Sequence, residues 1–406
     1  MLLSILYTVS TLDAIGFAMV ITIMNPYAES LGGTQFYLGV LGSTCAFIAL
    51  IWNPIVGSLS DSLGRKKVLL QCLLICLVGN FMVTCSSSLT VLFISRTLTA
   101  FGTQIMTLLK SLVDDNIPNQ ESKMAAIGRM QALGCVAFVV GAVVSGHLSE
   151  YENGYRYIFY LISAIFVINI SLIWLVPDKQ KKKQSQKKTA PSFNVFKELK
   201  GAVVNLSSID WPKYWDLFVI KLIIDFVLSV FQFNINPIMT RRFSTTGKTF
   251  GYIIALSMVV GIGGHLSMSR LKSVLYKNDN SGFKRLLHGS LLLTYACLGL
   301  GLATSFPMYI LHLLPQSISR VIFDNTFTEM ILARASPQEK GSIMGTFEST
   351  IALGGLTAPI LSGLVSESWG NDMCILLCTI PLIFGTILTY TQNTKSQKTI
   401  YSSKSQ

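Results

Sequence analysis

Charge is what this 406-residue chain has least of. Only 13% of its residues are Asp, Glu, Lys or Arg, against the roughly 25% usual in soluble domains, so water is not what covers most of its surface. Metal-binding side chains are equally sparse in combination. The four histidines, His147, His265, His288 and His312, are scattered, and the eight cysteines include no CxxC pair. That scattering excludes a zinc site or a disulfide framework. Cys72, Cys76, Cys135, Cys297 and Cys378 fall inside apolar runs and read as small apolar filler. A true P-loop is missing too: GKT at Gly247 to Thr249 imitates its tail, but Arg242 stands where the preceding glycine should be. With no metal or nucleophile constellation either, an enzyme is not expected, and no cofactor is implied.

What is present is apolar sequence in uninterrupted blocks. Hydrophobic residues make up 51% of the chain, in runs near the ~20 residues that cross a bilayer core as a helix. The blocks predict spans at 4–27, 36–56, 68–87, 88–112, 124–147 and 155–176, then 214–237, 250–269, 285–304, 307–333, 341–365 and 372–392. The first has no basic start or small-residue cleavage site and is read as helix 1 rather than a signal peptide. The expected class is an all-α membrane protein with twelve transmembrane helices and the lipid bilayer as its main partner.

The net charge of +12 could suggest nucleic acid, and the placement of the basic residues decides against it. Of 32 Lys and Arg, 25 lie in or at the edges of loops on the side of the turn at 57–67, and four (Arg156, Arg241, Arg242, Lys248) lie on the other. Positive residues are retained in the cytoplasm, so that turn and both termini are expected there. The one long hydrophilic stretch, 177–213, carries the run Lys179 to Lys188 and reads as a basic cytoplasmic linker. It separates a six-helix half at 1–176 from a second at 214–392, followed by a cytoplasmic tail at 393–406.

Self-comparison makes the halves related. GSLSDS at Gly57 to Ser62 recurs as GHLSMS at Gly264 to Ser269, and AVVSGHLSE at Ala142 to Glu150 recurs as PILSGLVSE at Pro359 to Glu367. Asp13, followed by Asn25 and Pro26, is matched by Asp225, followed by Asn236 and Pro237. Three matches in one order, at offsets of 207 to 217, argue for a duplicated six-helix unit. Duplicated bundles place solute sites near the bilayer midplane and move them by alternating access.

The most specific motif is GSLSDSLGRKK, Gly57 to Lys67, between helices 2 and 3. It resembles the GxxxDxxGR[RK] loop of the major facilitator superfamily, in the drug:proton antiporter branch that includes tetracycline exporters. TLDAIG at Thr11 to Gly16 and SPQEKGSIMG at Ser336 to Gly345 are similar to the same branch, and YWDLFVIKLI from Tyr214 through TGKTFGYII resembles an animal member. The resemblance covers essentially the whole chain and implies the major facilitator fold, two pseudo-symmetric six-helix bundles working as a monomer.

It also implies roles. Gly57 and Gly64 would allow close packing and a tight turn. Asp61 would face the N-terminus of helix 11 at Gly341 to Ser342, and Arg65 would reach Asp114 or Asp115 at the end of helix 4; together these form a conformational gating loop. Arg96 is similar to the arginine of an RxxxG motif implicated in proton transfer, although Ala100 holds the glycine position and Gly102 follows two places later. The antiporter signature GPxxGG reads Gly141, Ala142, Val143, Val144, Ser145, Gly146, without its proline.

A charge inside the membrane is costly and needs a partner or a polar cavity. Asp13 has no opposite charge at helical spacing and is a candidate for proton or substrate contact, or for a packing hydrogen bond. Lys221 with Asp225, and Arg320 with Asp324, sit four residues apart and can pair on one helix face, either structurally or as pairs that open for a charged substrate. Glu348 and Gln131 occupy equivalent places three residues after Gly345 and Gly128, expected in the first turns of helices 11 and 5. Glu348 is a further titratable candidate. Two functions stay open: a secondary transporter of a small organic solute, proton-coupled or not, and a nontransporting membrane sensor or scaffold.

Overall fold

The computed structural model describes residues 2–85, 88–117, 119–176, 211–277, 279, 281–335 and 340–404; the linker expected at 177–213 lies almost entirely outside them. Among the described residues every regular element is a helix. In chain order they are α1 (Leu2–Ser30), α2 (Gln35–Leu63), α3 (Arg65–Cys85), α4 (Leu89–Ala100), α5 (Ile105–Asn116), α6 (Gln120–Leu148) and α7 (Gly154–Trp174). The second series is α8 (Trp211–Phe243), α9 (Gly247–Leu275), α10 (Phe283–Leu302), α11 (Phe306–Arg334), α12 (Lys340–Trp369), α13 (Asn371–Leu377) and α14 (Thr379–Lys404).

Helix is what the lipid setting demands, because a backbone in hydrocarbon must satisfy its own polar groups. The hydroxyls follow the same rule. Thr22 donates to the Ala18 carbonyl at 2.8 Å, Ser163 to Phe159 at 2.8 Å, Ser290 to Leu286 at 2.9 Å and Thr389 to Gly385 at 2.7 Å, each four residues back along its own helix. Large apolar side chains stand on the outside, among them Phe81, Leu266 and Phe384, and exposed Trp174 and Trp369 mark helix ends, where interfacial aromatics belong.

Among the described residues eleven helices are long and apolar enough to cross a membrane, with α4–α5 counting as one and α13–α14 as another. The remaining long helix, α11, is diluted by Gln316, Arg320, Asp324, Asn325 and Glu329. Twelve passes result, but several depart from the spans read in sequence. The fourth, expected unbroken over 88–112, is interrupted at 101–104. Gly102 lies at this break against α3: a Cβ there would fall 2.7 Å from both the Cys72 carbonyl and the Cys76 sulfur. The residues expected as a tail from 393 continue α14 as far as Lys404. Gln131 and Glu348 are not in first turns, because α6 starts at Gln120 and α12 at Lys340.

The chain divides into two compact units. The first takes Met1–Thr34, Thr44–Val204 and Thr245–Ala255, and the second takes Gln35–Ser43, Asn205–Ser244 and Leu256–Gln406. Within the first, α1 packs on α6 and α7, and α3 packs on α4 and α7. Within the second, α8 packs on α12 and α14, and α10 packs on α11 and α14. The four pairings correspond one to one, so the repeat seen in sequence is a repeat of packing.

Each unit also receives the start of one helix from the other series. In the second, the first residues of α2 lie on α12: a Cβ on Gly42 would be 3.3 Å from the Pro359 ring, and one on Gly363 would be 2.9 Å from the Gln35 carbonyl. The Glu367 carboxylate accepts the Phe36 N–H at 3.2 Å. In the first, α9 begins against α6: a Cβ on Gly146 would be 2.6 Å from the Gly247 carbonyl, and the Glu150 carboxylate accepts the Lys248 N–H at 3.3 Å. His147 and the Tyr252 hydroxyl bond at 2.9 Å beside it. The two glutamates are the final residues of the matched AVVSGHLSE and PILSGLVSE segments.

Candidate functional site

The loop at Gly57 to Lys67 is short because α2 runs to Leu63 and α3 starts at Arg65. Gly64 joins them with φ +103°, a left-handed value that favours glycine. Gly57 differs from expectation, since it stands within α2 and a Cβ there would meet nothing within 4 Å. Arg65 Nε pairs with Asp115 at 2.5 Å, while Asp114 pairs with Lys123 at 2.7 Å. Lys66 donates to the Trp174 carbonyl at 2.9 Å and to that of Val176, so the loop also holds the end of α7. The side chains of Asp61, Gly341, Ser342 and Glu348 lie outside those described.

In the second unit the equivalent corner is built differently. Met268 stands at the Asp61 position of the repeat and Lys272 at the Arg65 position. Lys272 pairs with Glu329 at 2.5 Å, matching Arg65 with Asp115. Glu329 is shared with Arg285 at 2.7 Å, and the buried Arg285 is held in turn by Asp279 at 3.1 Å. Sequence comparison could have found Lys272 by position, but Arg285 and Asp279 have no counterpart in the repeat.

Within the first unit, Arg96 on α4 is buried, donating to Asn80 Oδ1 at 2.7 Å and Ser95 Oγ at 3.2 Å. Its guanidinium carbon lies 5.4 Å from the centre of the Phe159 ring, an attractive cation–π placement. Gly102 supplies the close helix contact that Ala100 cannot. Asp13, on α1, is half-buried, and no hydrogen bond or ion pair reaches it among the described residues. Gly141 on α6 packs on the Ile15 carbonyl and the Ala18 side chain of α1, so loss of the signature proline leaves this contact intact.

Two further ion pairs lie within the second unit, where α8, α11 and α12 enclose a cavity of about 280 Å³. Lys221, Asp225, Arg320 and Asp324 all line it, together with Phe323, Phe327 and Phe347. Helical spacing sets each pair, because residues four apart share a face. Their quality differs. Lys221 Nζ meets Asp225 Oδ2 at 2.7 Å, the Thr350 hydroxyl donates to the same oxygen, and the ammonium sits 5.9 Å from the Phe327 ring centre. Arg320 Nε is 4.0 Å from Asp324 Oδ2, and both side chains are more than half open, at 53% and 54%. Asn325, next on α11, bonds His265 on α9 at 2.9 Å. Thr350 and the three phenylalanines were not singled out in sequence; they reach the site from packing alone.

Two repeated six-helix bundles, the second holding this charge-lined cavity, define a polytopic membrane protein. The chain belongs to the Major Facilitator Superfamily, whose sequence profile matches residues 6–277 and 276–405. It is 25% identical over 397 residues to multidrug resistance protein 1 of Bacillus subtilis, covering 95% of each chain. It is 27% identical over 230 residues to the quinolone resistance protein NorA of Staphylococcus aureus, covering 56% of each. The chain thus spans about half the length of several curated relatives that it matches. Among solved structures, a bacterial homologue of the human lysosomal transporter Spinster superposes with a TM-score of 0.78 at 16% identity over 96% of both chains. The human organic anion transporter MFSD10 superposes with 0.66 at 18% identity, over 95% of this chain and 98% of that one. Family membership and the membrane-length apolar helices make this a multi-pass membrane protein.

Proposed function

We propose that the chain is a secondary transporter that carries a small organic solute by alternating access, coupled to protons and active as a monomer. The observation that supports it best is the cavity lined by Lys221, Asp225, Arg320 and Asp324 within the second unit. A soluble protein could hydrate such charges at its surface. A membrane protein retains them at a cost, which a solute site offsets. The relatives named for quinolone and multidrug resistance agree with solute movement.

In this reading the Gly57 to Lys67 loop, with Arg65 and Asp115 paired and Asp61 and Asp114 as further members, biases the conformational equilibrium. The loop and both termini face the cytoplasm, as the basic residues require. Asp13 is the proton carrier, being a half-buried carboxylate on a membrane-spanning helix with no partner among the described residues, with Arg96 and Glu348 as further participants. The stretch from Tyr214 through TGKTFGYII, which resembles an animal member, supports a kinship with that group. A sensor or scaffold would keep the bundle and bind without flux.

Flux in proteoliposomes, measured for a solute panel with and without a pH gradient, tests the reading. Uptake stimulated by the gradient is expected, with Asp13→Asn losing the stimulation while a zero-gradient exchange persists. Binding with no flux under any gradient would establish the sensor instead. Unchanged gradient dependence in the Asp13→Asn protein would remove that residue from the proton path.

A further inference from the structure

The cavity between α8, α11 and α12 carries two cations and two anions, and its two ion pairs are not equally made. Lys221 and Asp225 are closed to solvent at 10% and 12% exposure, 2.7 Å apart, with the Thr350 hydroxyl on the shared oxygen. Each charge of this pair is already met by its partner at contact distance. Arg320 and Asp324 stand 4.0 Å apart with more than half of each side chain open, and among the described residues no hydrogen bond reaches the guanidinium. A contact pair of this type settles at about 2.8 Å when nothing competes. The longer separation leaves a donor fork and a carboxylate side by side, each with room for a third party.

We propose that the solute is zwitterionic: a compact molecule bearing one carboxylate for Arg320 and one ammonium for Asp324 on an apolar body. A singly charged guest satisfies only one of them. An anion on Arg320 brings a second negative charge close to Asp324, whose carboxylate lies 4.0 Å from the guanidinium, and a cation on Asp324 likewise crowds Arg320. A guest with both charges inserts into the loose pair and sets opposite signs against each other at both ends, so neither residue loses its counter-charge. The tight pair is the fixed wall and the loose pair is the grip. Phe323 and Phe347 line the rest of the cavity and suit an aromatic or branched aliphatic body. Its volume of about 280 Å³ lies just under the ~300 to 1,000 Å³ of sites for drug-sized ligands, which favours a molecule of amino-acid size.

The inference rests on the transporter reading for how the solute crosses the membrane, though not for how it binds. Purified protein in nanodiscs, titrated with phenylalanine, phenethylamine and 3-phenylpropionate, presents the same aromatic body as zwitterion, cation and anion. Phenylalanine is expected to bind at least tenfold more tightly than either analogue. Arg320→Gln should bring it down to the level of phenethylamine, Asp324→Asn should bring it down to the level of 3-phenylpropionate, and Arg320→Lys should keep the wild-type ranking. Thermal unfolding of each variant confirms that it is folded. Equal or tighter binding of a singly charged analogue, or no saturable binding of phenylalanine, overturns the inference. Zwitterion binding without flux keeps it and removes the transporter reading. Flux confined to singly charged solutes does the reverse.

Discussion

At the scale of single residues, the two ion pairs of the second unit make opposite predictions although their spacing is the same. Lys221 and Asp225 are nearly closed off and share a hydroxyl from Thr350. Removing one partner strands the other charge, which costs about 3 to 5 kcal/mol at a buried site, whereas replacing both by apolar groups is often close to neutral. Lys221→Met and Asp225→Leu alone should each lower the unfolding temperature in detergent sharply, and the double variant should recover most of the loss. A double variant as unstable as the singles would show that the pair is not a closed unit. Arg320→Gln should shift stability by about 1 kcal/mol or less, because an open, loosely made pair contributes little. Helical spacing made both pairs legible in the sequence. Which of them is tight was not legible, because Thr350 and Phe327 reach Lys221 and Asp225 from other helices or other turns, and no local pattern encodes that.

At the scale of helices, the start of α2 and the start of α9 are each docked by a glutamate within two residues of the end of the partner helix. Thr246, whose hydroxyl accepts the Thr249 N–H at 3.4 Å, opens α9. Its hydroxyl also hydrogen-bonds Glu150 and, with the Lys248 N–H and charge, holds the Glu150 carboxyl below the usual carboxylate range. A carboxyl with a depressed folded pKa stabilises fully above its unfolded value, and that contribution is lost as pH falls through the folded one. Acidification from neutral pH should therefore loosen the α9 start in the wild type, and Glu150→Gln should flatten that part of the pH dependence. Hydrogen exchange at residues 247–255 would read it directly, and an identical pH profile in the variant would contradict the assignment. Glu367→Gln should loosen residues 35–43 in the same way. The matched segments containing both glutamates were visible in the sequence. The spacing from Thr34 to Gly39 recurs from Thr246 to Gly251, a short match that gains meaning only once α2 and α9 are seen to receive the glutamates.

At the scale of the whole chain, the count of passes was legible from apolar runs, but not the breaks within them. Hydropathy is continuous through 101–104, where Gly102 lies against Cys72 and Cys76 of α3, a tertiary contact that apolar runs do not encode. The break has a consequence for topology. As helices of 12 residues each, α4 and α5 are about 18 Å long apiece, too short to cross a hydrocarbon core of about 30 Å singly. Together they make one pass. If instead α4 entered and α5 returned on the same side, every later loop would change sides and the basic bias would be lost after residue 116. Cysteines introduced at Lys67 and Asn153, in a background cleared of the eight native thiols, separate the alternatives, since three passes or two lie between them. An impermeant maleimide applied to intact cells should label Asn153→Cys, while Lys67→Cys should react only after permeabilisation. The expected sides follow from the 25 basic residues clustered with Lys67 against the four opposite, a bias that cytoplasmic retention of positive charge explains. Labelling of both positions from the same side would show that α4 and α5 do not complete a pass.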